Sequence, residues 1–222
     1  MMVDQAAFLA LWASRIPLLN GLGSTILAAA VSLLLGVVIG GIAAIGSAFG
    51  HRLLRLAIGV YVYLLRGLPL LVTILFAYFG VGTLWPALPA FWLTILVMAL
   101  FAGAQMTEVF RGGIQAIPPA QLEAAKAIGL PFSSRMLTIV VPLTLRRAIP
   151  SITNIAIEIV KSSTLISVLG ASDLFLAGQQ VAARTLFIPE TYLFLWGAYL
   201  LVCLVVALLG RWLEYRFAYI VF

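Results

Sequence analysis

The sequence predicts an all-α integral membrane protein, a bundle of five transmembrane helices forming one domain over residues 1–222. Three observations carry that prediction. The chain is 64% hydrophobic and only 9% charged, whereas a soluble domain is roughly 45–50% apolar and about 25% charged; its mean hydropathy is +1.19. The apolar stretches are continuous rather than alternating, which argues against a membrane β-barrel and leaves helices as the backbone form that satisfies its own hydrogen bonds in lipid. The basic residues fall almost entirely on one set of connections.

Each span needs about 20 apolar residues, and five stretches qualify: Leu22–Ala48, Leu56–Gly80, Ala90–Phe110, Ala148–Gly170 and Thr191–Leu209. Before the first lies "MMVDQAAFLALWASRIPLLNG". It lacks the basic start and small-residue cleavage site of a signal peptide and carries Asp4, so a short amphipathic or interfacial segment that stays on the protein is expected. In the first span, Gly36-x-x-x-Gly40, with Gly41 and Gly46 beyond, permits close helix approach. In the second, Gly67 and Pro69 behind Arg66 predict a kink or an unwound turn. No internal repeat marks the inverted halves of many secondary transporters.

Net charge is +6. In so apolar a chain it reads as a topology signal rather than a nucleic-acid footprint. Arg52, Arg55, Arg111, Lys126, Arg135, Arg146, Arg147, Arg211 and Arg216 lie on one side, and only Arg15 and Arg184 on the other. The positive-inside rule then puts the N-terminus of this multi-pass protein outside and the C-terminus in the cytoplasm. Cys203 stands alone, so no intrachain disulfide or Cys/His metal site is expected, and His51 reads as an interfacial residue. Nothing matches the phosphate-binding G-x-x-x-x-G-K-[ST] loop. No Ser/His/Asp or Cys/His set suggests an enzyme, so no catalytic and no metal residue is assigned.

The long basic loop is the most informative stretch. Pro118 and Pro119 end one helical unit, "AQLEAAKAIGL" then supplies strong helix formers, and Gly129 and Pro131 supply stops. A short helix over about 118–131 follows, with Ala120, Ala124 and Ala127 as a smooth face and a Glu123–Lys126 pair at i, i+3. Such a face suits docking into a groove on another protein; lying on lipid is the alternative.

The loop resembles the signature of ABC-transporter permeases: Glu123-Ala124-Ala125, three residues, Gly129, nine residues, then Ile139-Val140-Val141-Pro142, with Val141 where leucine is usual. "YVYLLRGLPLLVTILFAYFG", "TEVFRGGIQAIP" and "VKSSTLISVLG" are similar to the polar amino-acid branch, whose members carry histidine, glutamine, arginine or opines. The branch usually has Asn-Glu in the fourth span; here Asn154-Ile155 stands there and the acid appears at Glu158. The resemblance implies a type I ABC importer-like bundle whose loop is a coupling helix, with Glu123, Ala124, Ala125 and Gly129 docking a cytoplasmic ATPase dimer. It also implies a second permease chain, identical or homologous, and an external or periplasmic solute-binding protein. ATP and Mg would sit on the ATPase, leaving no cofactor in this chain. Transport of a polar amino acid or opine-like compound is the implied function; an ion-coupled secondary transporter and a scaffold that recruits an ATPase are the alternatives.

Charges within spans are costly and mark function by default. Arg66, Glu108, Glu158 and Lys161 are the four. Ser151, Asn154, Glu158, Lys161 and Ser162 recur at three- and four-residue steps and form one polar stripe on the fourth span. Counted from Ala148, Glu158 lies about 15 Å deep, near the bilayer midplane. Two readings stand for Glu158 and Lys161. They bind the amino and carboxylate groups of a substrate, with Asn154, Ser162 and Arg66 lining the same path, or they form an internal salt bridge. Arg66 is expected to pair with Glu108 or another acid, while Glu108 and Arg111 read as packing or gating residues. The segment from Ala171 to Pro189 reads as external, with Asp173, Gln179, Gln180 and Arg184 facing a partner.

Overall fold

Proline and glycine decide where this apolar chain stops being one continuous rod. The computed structural model describes residues 5–80, 82 and 88–217; Asp4 lies outside them. Helices α1 (Gln5–Ala13) and α2 (Arg15–Phe49) part at Ser14. Pro17 explains the break, because it has no N–H for the Ala13 carbonyl and its ring crowds that carbonyl. α1 is apolar on every side rather than amphipathic: only Ala7 is buried, while Phe8, Leu9 and Trp12 are exposed. α2 has 35 residues, about 52 Å at ~1.5 Å per residue, and begins well before the expected Leu22.

The second span is broken more sharply than a kink. α3 (Arg52–Gly67) and α4 (Leu70–Phe79) meet at 106°. Leu68 is extended (φ −104°, ψ 144°), as a residue before proline prefers, and Pro69 opens α4. Among the described residues four other stretches are long and apolar enough to cross a membrane, Arg15–Phe49, Ala90–Gln115, Phe132–Leu169 and Ile188–Phe217, and the bent pair taken as one span makes five. α5 (Ala90–Gln115) is followed by the short α6 (Pro119–Ala127) and α7 (Phe132–Arg135). The described residues contain no strand.

The fourth span starts earlier than the expected Ala148. A π-helical turn, Met136–Val140, joins α7 to α8 (Val141–Ser162). Pro142 offers no N–H to Thr138, and the Val141 N–H reaches back to the Met136 carbonyl, so the ladder slips by one residue and the helix continues. Past Ser162 it tightens into a 3₁₀ segment, Ser163–Leu169. The hydroxyls of Ser163, Thr164 and Ser167 donate to carbonyls three residues back at 2.8, 2.9 and 2.6 Å. Gly170, left-handed at φ +71°, ends it. α9 (Leu174–Thr185) and α10 (Ile188–Phe217) complete the chain.

The most extensive helix contact joins α2 to α5. Gly36 rests on Ala102, and Gly40 lies on Met106 and the Gly103 carbonyl, so any Cβ at either glycine would collide. Ser32 Oγ donates to the Ile95 carbonyl across the same seam at 3.1 Å. The expected close approach is therefore spent inside this chain at Gly36 and Gly40. Gly46 meets Leu54 and Ile58 of α3, and Gly41 faces open space.

Gly40→Leu should destabilise the protein by about 2 kcal/mol or more, because overpacking at a backbone contact has no room to relax. Gly41→Leu should cost little. Thermal melting of the two variants in detergent, side by side with the wild type, checks both.

Candidate functional site

Two surfaces carry the residues singled out by sequence. The first is the α6 loop. Pro119 sits in its first turn, and the far end closes as a Schellman motif: the Leu130 N–H bonds the Ala125 carbonyl at 3.1 Å and the Gly129 N–H bonds that of Lys126 at 2.9 Å. Gly129 adopts φ +77°, which only glycine takes without strain, and open space surrounds its α-carbon.

One face of α6, Gln121, Leu122 and Ala125, turns inward; Ala125 is buried and Leu122 packs on the main core. The other presents Ala120, Glu123, Ala124, Ala127 and Ile128 to the outside. The smooth alanine face is thus displayed. Within the signature the two alanines part company: Ala124 is exposed, whereas Ala125 anchors the helix to its own chain. Glu123 and Lys126 are both exposed, and no ion pair joins them among the described residues. The loop is braced at both ends. Phe49 at the end of α2 meets Phe132 edge-on at 5.5 Å, and Arg147 of α8 donates to the Ala116 carbonyl at the end of α5.

The second surface is the polar face of α8, α5 and α3. Asn154, Glu158 and Lys161 lie exposed on one side of α8, with Ser151 and Ser162 half-buried beside them and Ile155, Ile159 and Val160 buried behind. Glu158 and Lys161 do not pair with each other among the described residues. Instead Glu158 Oε2 accepts from Gln105 Nε2 of α5 at 3.1 Å. One turn along α5, Glu108 gathers two cations. Arg111 grips it with Nη2 at 2.6 Å and Nε at 3.1 Å, and Arg66 Nη1 of α3 stands 3.9 Å away. The expected Arg66–Glu108 pair is therefore present. It borders an open cleft of about 400 Å³ beside Gly59, Val62, Tyr63 and Gly67. Glu158 and Lys161 do not line that cleft, so Arg66 is grouped with Glu108 rather than with the stripe.

Since the helix begins well before Ala148, a count from Ala148 does not set the depth of Glu158; along α8 it stands eleven residues, about 16 Å, beyond Arg147. Gln105 escaped the sequence reading; its signal was an amide three residues before Glu108 in an otherwise apolar helix.

The segment between the last two long helices is mostly α9, not a polar loop. Asp173 is fully buried and serves as its N-cap, with Oδ1 accepting from the Leu176 N–H at 2.8 Å. Thr25 of α2 accepts from the Leu174 N–H at 3.1 Å and fastens the cap to the bundle. Asp173 thus has a structural place, and Gln179, Gln180 and Arg184 form the exposed row. Burial raises the Asp173 carboxyl to about 6, against opposing hydrogen bonds from the Leu176 and Phe175 backbones and the Tyr199 side chain.

A multi-pass helical bundle with a polar face between its spans and a displayed loop helix at one end defines a membrane permease. The protein-family description "Binding-protein-dependent transport system inner membrane component" matches residues 36–219, and the chain belongs to that family. The octopine transport system permease protein OccM of Rhizobium radiobacter is 30% identical, over 92% of this chain and 87% of its own length. The nopaline transport system permease protein NocQ of Agrobacterium fabrum is 32% identical over 76% and 77%, and the arginine transport system permease protein ArtQ of Bacillus subtilis 27% over 89% and 90%. Among solved structures, a chain of an amino acid ABC transporter crystallised with histidines superposes with a TM-score of 0.85 at 28% identity, covering 97% of this chain and all of that one. A chain of the MetNI methionine ABC transporter shares the fold at a TM-score of 0.77 and 16% identity. The fold is that of a type I ABC importer permease.

Asp173 gives this region a pH signature. Its carboxyl titrates near 3.9 when unfolded and about 6 when folded, so the folded state holds the proton more tightly. Its contribution is full below about pH 4 and is lost as pH rises through about 6, at most about 3 kcal/mol. Melting temperatures at a series of pH values should fall more steeply across that window for the wild type than for Asp173→Asn, and the two curves should run parallel above about pH 7.

Proposed function

We propose that this chain forms the membrane path of an importer for a polar amino acid or an opine-like compound. The observation that carries the reading is Glu158 and Lys161. They are opposite charges nearly one turn apart, both exposed on a spanning helix and not paired with each other. An amino acid presents an ammonium and a carboxylate. Glu158, held by Gln105 through one oxygen, keeps the other for the ammonium or a cationic side chain. Lys161 meets the carboxylate. Asn154 and Ser162 supply neutral hydrogen-bonding groups beside them, and Arg66 with Glu108 borders the entry cleft. The compounds for which the relatives are named, arginine and the opines octopine and nopaline, have this chemistry.

The energy comes from outside the chain. Glu123, Ala124 and Gly129 meet a groove on a cytoplasmic ATPase dimer, Ala125 sets the height of the helix, and ATP with Mg is bound by that partner. A second permease chain, identical or homologous, covers the exposed polar face of α8. A solute-binding protein delivers substrate on the opposite side, where Gln179, Gln180 and Arg184 stand exposed. The N-terminus lies outside and the C-terminus in the cytoplasm, as the basic residues direct. Closure of the ATPase pair moves α6, and the bundles rock between two states. The matched family leaves the ion-coupled alternative without an observation in its favour.

Glu158→Gln and Lys161→Met should each weaken substrate affinity on the order of tenfold or more, the loss of a charge-assisted hydrogen bond, in proteoliposomes holding the assembled transporter. Unchanged affinity in both would sink the binding role. Glu123→Lys and Gly129→Asp should leave membrane insertion intact while transport falls relative to ATP hydrolysed. Full ATP-coupled uptake in both would refute the docking role.

A further inference from the structure

At the end of α2 away from α6, helices α1, α2, α9 and α10 border a groove of about 420 Å³ whose lining includes no residue of α3, α5 or α8. Its volume lies in the range of small-molecule sites, roughly 300–1,000 Å³. Phe8, Trp12, Leu19, Leu174 and Phe194 make an almost wholly apolar wall, and Arg15 stands at the rim as the one charged side chain among the described residues that line it. The guanidinium lies over the Trp12 ring, 5.3 Å from its centroid, and Nη1 donates to the Trp12 carbonyl at 3.0 Å. Both contacts hold the group in place without neutralising it. Among the described residues no carboxylate pairs with Arg15.

We infer that this groove is a binding site for an anionic phospholipid, with an acyl chain along the apolar wall and the phosphate on Arg15. The pattern of one oriented cation over a carbon-lined groove fits an amphiphile with a single negative head. Arginine's planar fork suits a phosphate oxygen pair, and Trp beside Arg is the anchoring pair of a membrane interface. The outward side of α1, with Phe8, Leu9 and Trp12 exposed, keeps the groove in contact with lipid. A second copy of the chain is a poorer occupant. At this end, among the described residues, Asp173 is buried and Glu190 half-buried, so a copy brings no fully exposed carboxylate to Arg15.

The test is lipid titration of the delipidated full-length chain, followed by native mass spectrometry, with phosphatidylglycerol and phosphatidylcholine as probes. The wild type should bind the first phosphatidylglycerol on the order of fivefold more tightly than phosphatidylcholine, the contribution of one basic side chain at an anionic lipid surface. Arg15→Gln should abolish that preference, Arg15→Lys should keep part of it, and Arg184→Gln, at an exposed arginine outside the groove, should keep all of it. Equal binding of the two lipids by the wild type overturns the proposal. So does a preference that survives Arg15→Gln, or one lost equally in Arg184→Gln. A change in self-association rather than lipid binding on Arg15→Gln also overturns it.

Discussion

The close contact between α2 and α5 is the constraint from which the rest of the bundle is hung. Helices in lipid have no hydrophobic drive to associate, so they depend on intimate packing and a few hydrogen bonds. Gly36 and Gly40 remove the side chains that would hold the two backbones apart, and Ser32 adds a bond across the seam. With Ala102 and Met106 committed to α2, the opposite flank of α5 is fixed as well. That flank carries Gln105 toward α8 and Glu108 toward α3. Tyr61 of α3 donates to the Leu100 carbonyl at 2.7 Å and joins the bent span to the same helix. The polar face is thus a geometric result of where the glycines sit.

The loop and the polar stripe are connected by one helical path. From Phe132 the chain runs through the π turn into α8 and on to Leu169 without leaving helical geometry. Pro142 alters the register of the ladder without breaking it, whereas Pro69, preceded by an extended Leu68, does break it. Local context separates the two outcomes. Pro142 follows residues already in helical conformation whose N–H groups can reach back five residues, while the Gly67-Leu68 step gives the chain an inexpensive exit. Between α6 and Glu158 the chain turns once, at Gly129, and then stays helical past Pro142 and Pro150, while the 106° corner between α3 and α4 stands apart from that route.

Much of this was legible from residues alone. Continuous apolar length gave the spans, the spacing of Glu123 to Pro142 gave the family, and the three- and four-residue steps on α8 gave the stripe, since each depends on local periodicity. What escaped depends on partners far apart in sequence. Gln105 meets Glu158 across 53 residues, and no local pattern announces that bond. Asp173 read as an external polar residue because its burial is created by Thr25 on another helix and by the start of α9. Of the two forms expected for α1, amphipathic or interfacial, the first does not hold, since the helix is apolar on all sides, and the break at Ser14 comes from Pro17 three residues later.

Of the two alanines of the loop signature one is exposed and the other buried, and this separates two kinds of genetic lesion. A bulky residue at position 124 offends only the surface that meets α6, so a compensating change in that surface can restore the fit. A bulky residue at position 125 offends the interior of this chain, where Ala125 is buried and no change elsewhere in an assembly can make room. Adjacent letters of one motif should therefore fall into different suppressor classes, the first extragenic and the second intragenic.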